Sequence, residues 1–310
     1  MTDKPPERPS EQRDPVLGPL SSQLRRLGAG DGPVLVSGEP GSGRELAARA
    51  IHNLSGRAAH PFVVIDCAGL SEPLIEAEML GVGGPEGRVC KRGIFEQAGS
   101  GTVLLTEVGE LPLRLQEALL RLIDSHEVVR LGSDTAVTAP ARCLASTSID
   151  LEARIAAGLF RRDLHDRLSR EVLTLPALRA RHDDISALAR HFLQQCCAHL
   201  PGGAELTPQA ETALKAYSWP GNVLELREVV EQAALKAQGR IGIEHLPDKV
   251  RTEPPGGPLP SLRDVEMRHI ERVLQEARGN QRRASRILGI SRWSLSRRLR
   301  KYGMQLHADA

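Results

Sequence analysis

The chain has 310 residues, 40% of them hydrophobic, 26% charged and only 3% aromatic, with a net charge of +2. That length predicts two domains or slightly more, and the composition excludes general disorder. No apolar run reaches the ~18 residues of a membrane helix, and the N-terminus, MTDKPPERPSEQRDP, lacks the apolar core of a signal peptide. Five cysteines (Cys67, Cys90, Cys143, Cys196, Cys197) form no CxxC pair. They argue against a disulfide frame and against a zinc site, and fit the cytoplasm.

Composition divides the chain. Residues 1–14 are polar and Pro-rich, a flexible leader too short for a sensing domain, so input is expected from a partner, from expression level or not at all. Residues 15–170 alternate β-rich apolar runs with helical patterns. Pro33–Ser37, Pro61–Ile65, Gly101–Leu105 and Ala141–Ala145 are apolar on both faces, which predicts a parallel sheet in an α/β core. Residues 171–250 read as a helical subdomain, 251–260 (RTEPPGGPLP) as a linker, and 261–310 as helices again.

The first chemical signal is Gly38-x-x-x-x-Gly43, a Gly-rich turn between a strand and a helix. Backbone amides of such a turn cradle phosphates. Gly38, Gly41, Ser42, Gly43, Arg44 and Glu45 are the candidate nucleotide contacts. Arg44 stands where a compact Lys is expected, and a planar guanidinium is a poor substitute in a tight cradle. A strand–helix turn that binds nothing is the alternative. The second signal is the apolar strand Gly101–Leu105 ending in Thr106-Glu107, where two acids would normally position a metal and a water. Only Glu107 is acidic.

The third signal is at the C-terminus. Eight basic residues and no acidic ones lie between Gly279 and Ala308, which leaves −6 for the rest of the +2 chain. Ser261–Leu274 suits an amphipathic helix, Gln281–Leu288 a second, Gly289-Ile290 a turn and Ser291 to about Lys301 a third. Helix, turn, basic helix is the helix-turn-helix plan. Ala284 is small where helices would cross, and Ile290, Leu295 and Leu299 form the buried side. Arg282, Arg283, Arg292, Trp293, Ser294, Ser296, Arg297 and Arg300 are left for double-stranded DNA, although Trp293 could equally pack. A helical hairpin for protein pairing is the alternative.

Together with FRRDLHDRL at 160–168, LPALRAR at 175–181 and WPGNVLEL at 219–226, these motifs make the chain resemble the NtrC-type AAA+ activators of sigma-54 RNA polymerase, from about Val16 to Tyr302. The resemblance implies an α/β AAA+ P-loop core with a helical lid, then an all-α Fis-type helix-turn-helix domain. It implies subunit rings with ATP or ADP between neighbours. Arg161 and Arg167 match the arginines that reach a neighbour's ATP; a lid-hinge ion pair is the alternative. Val16, Leu17 and Gly18 match an adenine-contacting stretch, or are a packed loop.

Departures from the pattern decide what is expected of the motor. Arg44 replaces Lys, Thr106 replaces the Mg²⁺ Asp, and Asp66 replaces an Asn coupled to the Walker B Glu, setting a second carboxylate near Glu107. Ser148 matches the sensor I Asn, Leu224 the lid arginine, and Gly81–Gly93 lacks the Phe and Thr of the GAFTGA loop. Each charge missing from a phosphoryl-transfer site removes several kcal/mol of transition-state stabilisation. The expectation is a cytoplasmic, DNA-binding regulator with a degenerate ATPase. It would bind ATP or ADP, Thr106 arguing against Mg²⁺, and would not remodel sigma-54 polymerase itself. Its partners would be DNA, its own copies and a paralogous AAA+ regulator or RNA polymerase, with no membrane. The alternatives are an ATP-hydrolysing sigma-54-dependent activator and a protein-only scaffold.

Overall fold

The computed structural model describes residues 18–84, 89–196, 204–237, 239–252 and, nearer the C-terminus, 270, 273–274, 277, 281–290, 295 and 298–299. Two compact units divide at Glu253/Pro254.

In the first unit, α1 (Ser21–Ala29) precedes β1 (Val34–Ser37), and α2 (Arg44–Asn53) leads to β2 (Phe62–Asp66). Helix α3 (Glu72–Leu80) runs into a hairpin of β3 (Gly81–Gly83) and β4 (Val89–Arg92). Then come α4 (Ile94–Ala98), β5 (Thr102–Thr106), α5 (Leu113–Ser125), a second hairpin of β6 (Glu127–Val129) and β7 (Ala136–Thr138), and β8 (Arg142–Thr147). Helices α6 (Leu151–Ala156) and α7 (Arg162–Leu168) precede β9 (Val172–Thr174).

The central sheet is parallel throughout, in the order β2-β5-β8-β1-β9. Its side chains alternate between two cores. Val34, Val36, Leu104 and Leu144 face one, while Leu35, Val103, Leu105 and Ala145 face the other. That is why these strands read as apolar on both faces. Each fully buried Leu or Ile contributes about 1.5–3 kcal/mol relative to exposure. The sheet continues past residue 170: β9 pairs with β1 from Val172 to Thr174, on the far side of the boundary drawn from composition.

The lid follows as α8 (His182–Cys196), β10 (Glu205–Leu206), α9 (Pro208–Ala216), α10 (Asn222–Lys236), β11 (Arg240–Ile241) and α11 (Asp248–Thr252). Thr207 caps α9 by accepting from the Ala210 amide, with Pro208 at the first helical position. Lid and sheet share one hydrophobic core, in which Trp219 is fully buried and donates to the Leu214 carbonyl at 2.8 Å.

The second unit has its own core of Ile270, Val273, Leu274, Ala277, Ala284, Leu295 and Leu299. Helix Gln281–Ile287 ends at Gly289, whose φ of +64° suits the turn. Ala284 is fully buried, and Leu288 and Ile290 pack against the cluster.

Candidate functional site

The Gly-rich turn sits at the C-terminal ends of the parallel strands, where α/β sheets bind ligands. Gly41 and Gly43 have φ of +75° and +96°. A Cβ on Gly41 would also run into the Gly221 carbonyl oxygen, so only glycine fits there. Gly43 is the N-cap of α2 and supplies no side-chain cap, so the first amides of that helix remain for a ligand. Two buried polar atoms at this turn have no hydrogen-bond partner, Ser42 Oγ and Arg44 Nη1.

Arg44 does not simply face solvent. Its Nη2 donates to Glu107 Oε1, and the two form an ion pair. Glu107 is at the end of β5 in a left-handed conformation, φ +50°. Its Oε2 accepts from the Ser148 amide at 3.0 Å and the Ser148 hydroxyl at 2.9 Å. Burial pushes the Glu107 carboxyl up, but the bonds from Arg44 and Ser148 outweigh it and hold the group below the usual carboxylate range. Next to it, Thr106 and Asp66 are register partners on β5 and β2, and Thr106 Oγ1 donates to Asp66 Oδ1 at 3.3 Å. Burial, then Asp66 and Glu107, push the Cys67 thiol up to about 12, so it offers no thiolate. Among the described residues no group of three or more His, Cys, Asp or Glu could hold a metal.

A cleft of about 620 Å³ connects these parts, lined by Gly41, Gly43, Arg44, Glu45, Asp66, Thr106 and Glu107 on the core and by Val223, Leu224 and Arg227 on the lid. The lid is fastened to the turn: the Val223 and Leu224 amides donate to Gly41 O at 3.0 and 3.2 Å. Glu39 is paired with Arg179 and also accepts from Asn222 Nδ2 at 3.2 Å. The Arg179 bond holds the Glu39 carboxyl far down, at about 2. Leu224, the expected lid arginine position, is apolar and exposed. One turn further along α10 is Arg227, a cation in the cleft that sequence reasoning missed; its i,i+4 partner is Glu231, at 2.7 Å.

The other sequence candidates are dispersed. Val16 lies outside the described residues, and Gly18 opens the 3₁₀ turn Gly18–Leu20, away from the cleft lining. Gly38 and Ser42 belong to the turn but not to the cleft wall. Arg161 pairs with Asp163 at 2.7 Å and Arg167 with Asp124 at 2.5 Å, so neither enters the chain's own cleft. The hairpin β3–β4 stands where the GAFTGA loop is expected, and residues 85–88, between its strands in sequence, lie outside the described residues. In the second unit Arg283 is exposed. The side chain of Arg282 and residues Arg292, Trp293, Ser294, Ser296, Arg297 and Arg300 lie outside the description.

A parallel sheet in this strand order, a glycine turn uncapped at a helix N-terminus, an acid at the end of the neighbouring strand and a helical lid over the cleft define a P-loop NTPase core of the AAA+ class. Comparison with known proteins agrees. The Sigma-54 interaction domain matches residues 12–174, the AAA+ ATPase lid domain 179–261, and the Fis family of bacterial regulatory proteins 261–302. The chain is similar to regulatory protein AtoC of Escherichia coli, 39% identical over 307 residues, covering 94% of this chain and 67% of AtoC. It is 40% identical to the sigma54-dependent transcriptional activator SfnR of Pseudomonas putida over 278 residues, 86% of this chain and 75% of SfnR. Among solved structures, NtrX of Brucella abortus in complex with ATP superposes with a TM-score of 0.72 at 30% identity, covering 93% of this chain and 68% of NtrX. The chain belongs to the family of sigma-54-dependent transcriptional regulators, with a sigma-54 interaction domain, an AAA+ lid and a Fis-type helix-turn-helix. No helix among the described residues is long and apolar enough to cross a membrane.

Proposed function

We propose that this chain is a DNA-binding regulator whose AAA+ core takes up ATP or ADP and hydrolyses it slowly or not at all. The orphaned Arg44 Nη1, on the cleft wall, and the uncapped start of α2 suit phosphate oxygens. NtrX, to which the chain is similar, is described in complex with ATP and with ADP. One observation carries the reading. Arg44, in the position of the phosphate-binding cation, is bonded to Glu107, the acid that would orient a water. A carboxylate held by a guanidinium and by both donors of Ser148 is a weak base and is not free to turn towards a nucleophile. Nucleotide then acts as a ligand that fixes lid against core, and regulation is exerted through DNA bound by the Fis-type unit.

The core assembles with copies of itself, with Arg161 and Arg167 directed to a neighbour; a competent paralogue or RNA polymerase is the onward partner. The test is phosphate release by the full chain with DNA and Mg-ATP. Expected turnover lies well below about 1 per second, the lower end of ordinary enzyme rates. Turnover at or above that rate, with open-complex formation by sigma-54 polymerase, would establish the second reading, an ATP-driven activator. That reading is favoured by the 40% identity to a protein described as a sigma54-dependent transcriptional activator.

A further inference from the structure

Three carboxylates line the cleft: Glu45, Asp66 and Glu107. Two are neutralised from within the chain. Glu45 pairs with Arg49 at 3.3 Å, and Glu107 pairs with Arg44. Asp66 is the remaining one. It is exposed, and it makes no ion pair among the described residues. Its two hydrogen bonds, from the Ala68 amide at 3.1 Å and from Thr106 Oγ1 at 3.3 Å, both fall on Oδ1. They fix the carboxyl and leave Oδ2 without a donor among the described residues.

We propose that Asp66, from the end of β2, is the carboxylate that holds the divalent cation of a bound nucleotide, in place of a residue at the end of β5. The inference rests on the reading that the cleft binds nucleotide. Residue 106 is a threonine, whose hydroxyl carries no charge to hold a dication. Its strand-end neighbour carries that charge instead, at the matching register position Asp66↔Thr106. Mg²⁺ bound with a nucleotide needs only one or two carboxylates, the other ligands being phosphate oxygens and water. The absence of a three-ligand cluster among the described residues therefore does not oppose it. The electrostatics also favour a cation at this point: phosphates entering beside a carboxylate with no ion pair are repelled, and a dication between the two converts that repulsion into attraction. Hydrolysis need not follow, because Glu107 remains held by Arg44.

Binding, not turnover, tests this. Calorimetry of ADP with the full chain should give an affinity at least about tenfold higher in Mg²⁺ than in EDTA. Asp66→Asn should shrink that ratio to below about twofold while leaving the EDTA affinity equal or higher, since the repulsion is gone. Mn²⁺ with ADP should show a protein-bound electron paramagnetic resonance signal that Asp66→Asn removes. Thr106→Asp added to Asp66→Asn should bring both signatures back. Equal affinities in Mg²⁺ and EDTA for the unmodified chain, or a full Mg²⁺ ratio retained by Asp66→Asn, would overturn the assignment and leave nucleotide binding standing. No ADP binding in any arm would remove both.

Discussion

Asn222 Nδ2 lies 3.0 Å from the carbonyl oxygen of Pro40, so a fully buried amide on the first residue of the lid helix is bonded to the glycine-rich turn. The same side chain accepts from the Leu178 amide at 2.8 Å. Its backbone is left-handed, φ +53°, a conformation that Asn tolerates better than other non-glycine residues. Asn222→Ala would leave the Leu178 amide and the Pro40 carbonyl unpaired and add backbone strain. The expected cost is about 2–4 kcal/mol. For a unit of this size that is a drop of about 5–10 °C in the main calorimetric transition. An unchanged Tm would mean that the lid is not fastened through this residue.

The acid side of the stability profile should contain a contribution from Glu39. Its carboxyl is held at about 2 by Arg179 and Asn222, against about 4.3 in an unfolded chain. A group depressed in the folded state contributes stability above its unfolded value and loses it as pH falls towards the folded value. The loss should therefore occupy the window between about 4.5 and 2, and Glu39→Gln should flatten the profile there. Both partners are partly exposed, so high salt should shrink the difference. Identical pH profiles for the two proteins would contradict the assignment.

If the bond between Arg44 and Glu107 is what restrains hydrolysis, Arg44→Lys should loosen it. A lysine ammonium is more compact than the guanidinium whose Nη2 reaches the carboxylate, and is better suited to a phosphate cradle. ATP turnover should rise by about tenfold or more, with the Mg²⁺ ratio for ADP binding unaltered. Turnover that stays at the background would show that another substitution, such as Leu224 in the lid, is the limiting one.

The strands were legible because β1, β5 and β8 are buried on both faces, and each falls within one or two residues of its apolar run. Strand β9 escaped because it is a three-residue edge strand with only Leu173 buried. The turn was legible from glycine spacing. The ion pair within the cleft was not, since Arg44 and Glu107 are 63 residues apart and meet only through the pairing of β1 with β8 and of β8 with β5. Asp66 was visible as a substitution, but its place beside Thr106 needed the strand register. Arg227 was not singled out either: nothing local marks it beyond an i,i+4 partner, Glu231, and its place on the cleft wall depends on how the lid packs.

Ala284 offers a separate test of the DNA-binding unit. It is fully buried in the second unit's core, which among the described residues has seven members. Ala284→Leu would overpack that core at a cost of about 1–3 kcal/mol, enough to unfold much of so small a unit. DNA affinity, read by fluorescence anisotropy on a duplex spanning two half-sites about one helical turn apart, should fall at least about tenfold. ADP affinity, a property of the other unit, should not change. Arg283→Ala should behave differently, because Arg283 is exposed. It should leave the fold intact, weaken binding evenly across sequences and lower the salt slope by about 1 for each copy bound. A dimer neutralising about eight phosphates has a slope near −7. A slope close to zero in the unmodified protein, or full DNA affinity in Ala284→Leu, would mean that 261–303 is not what grips the duplex.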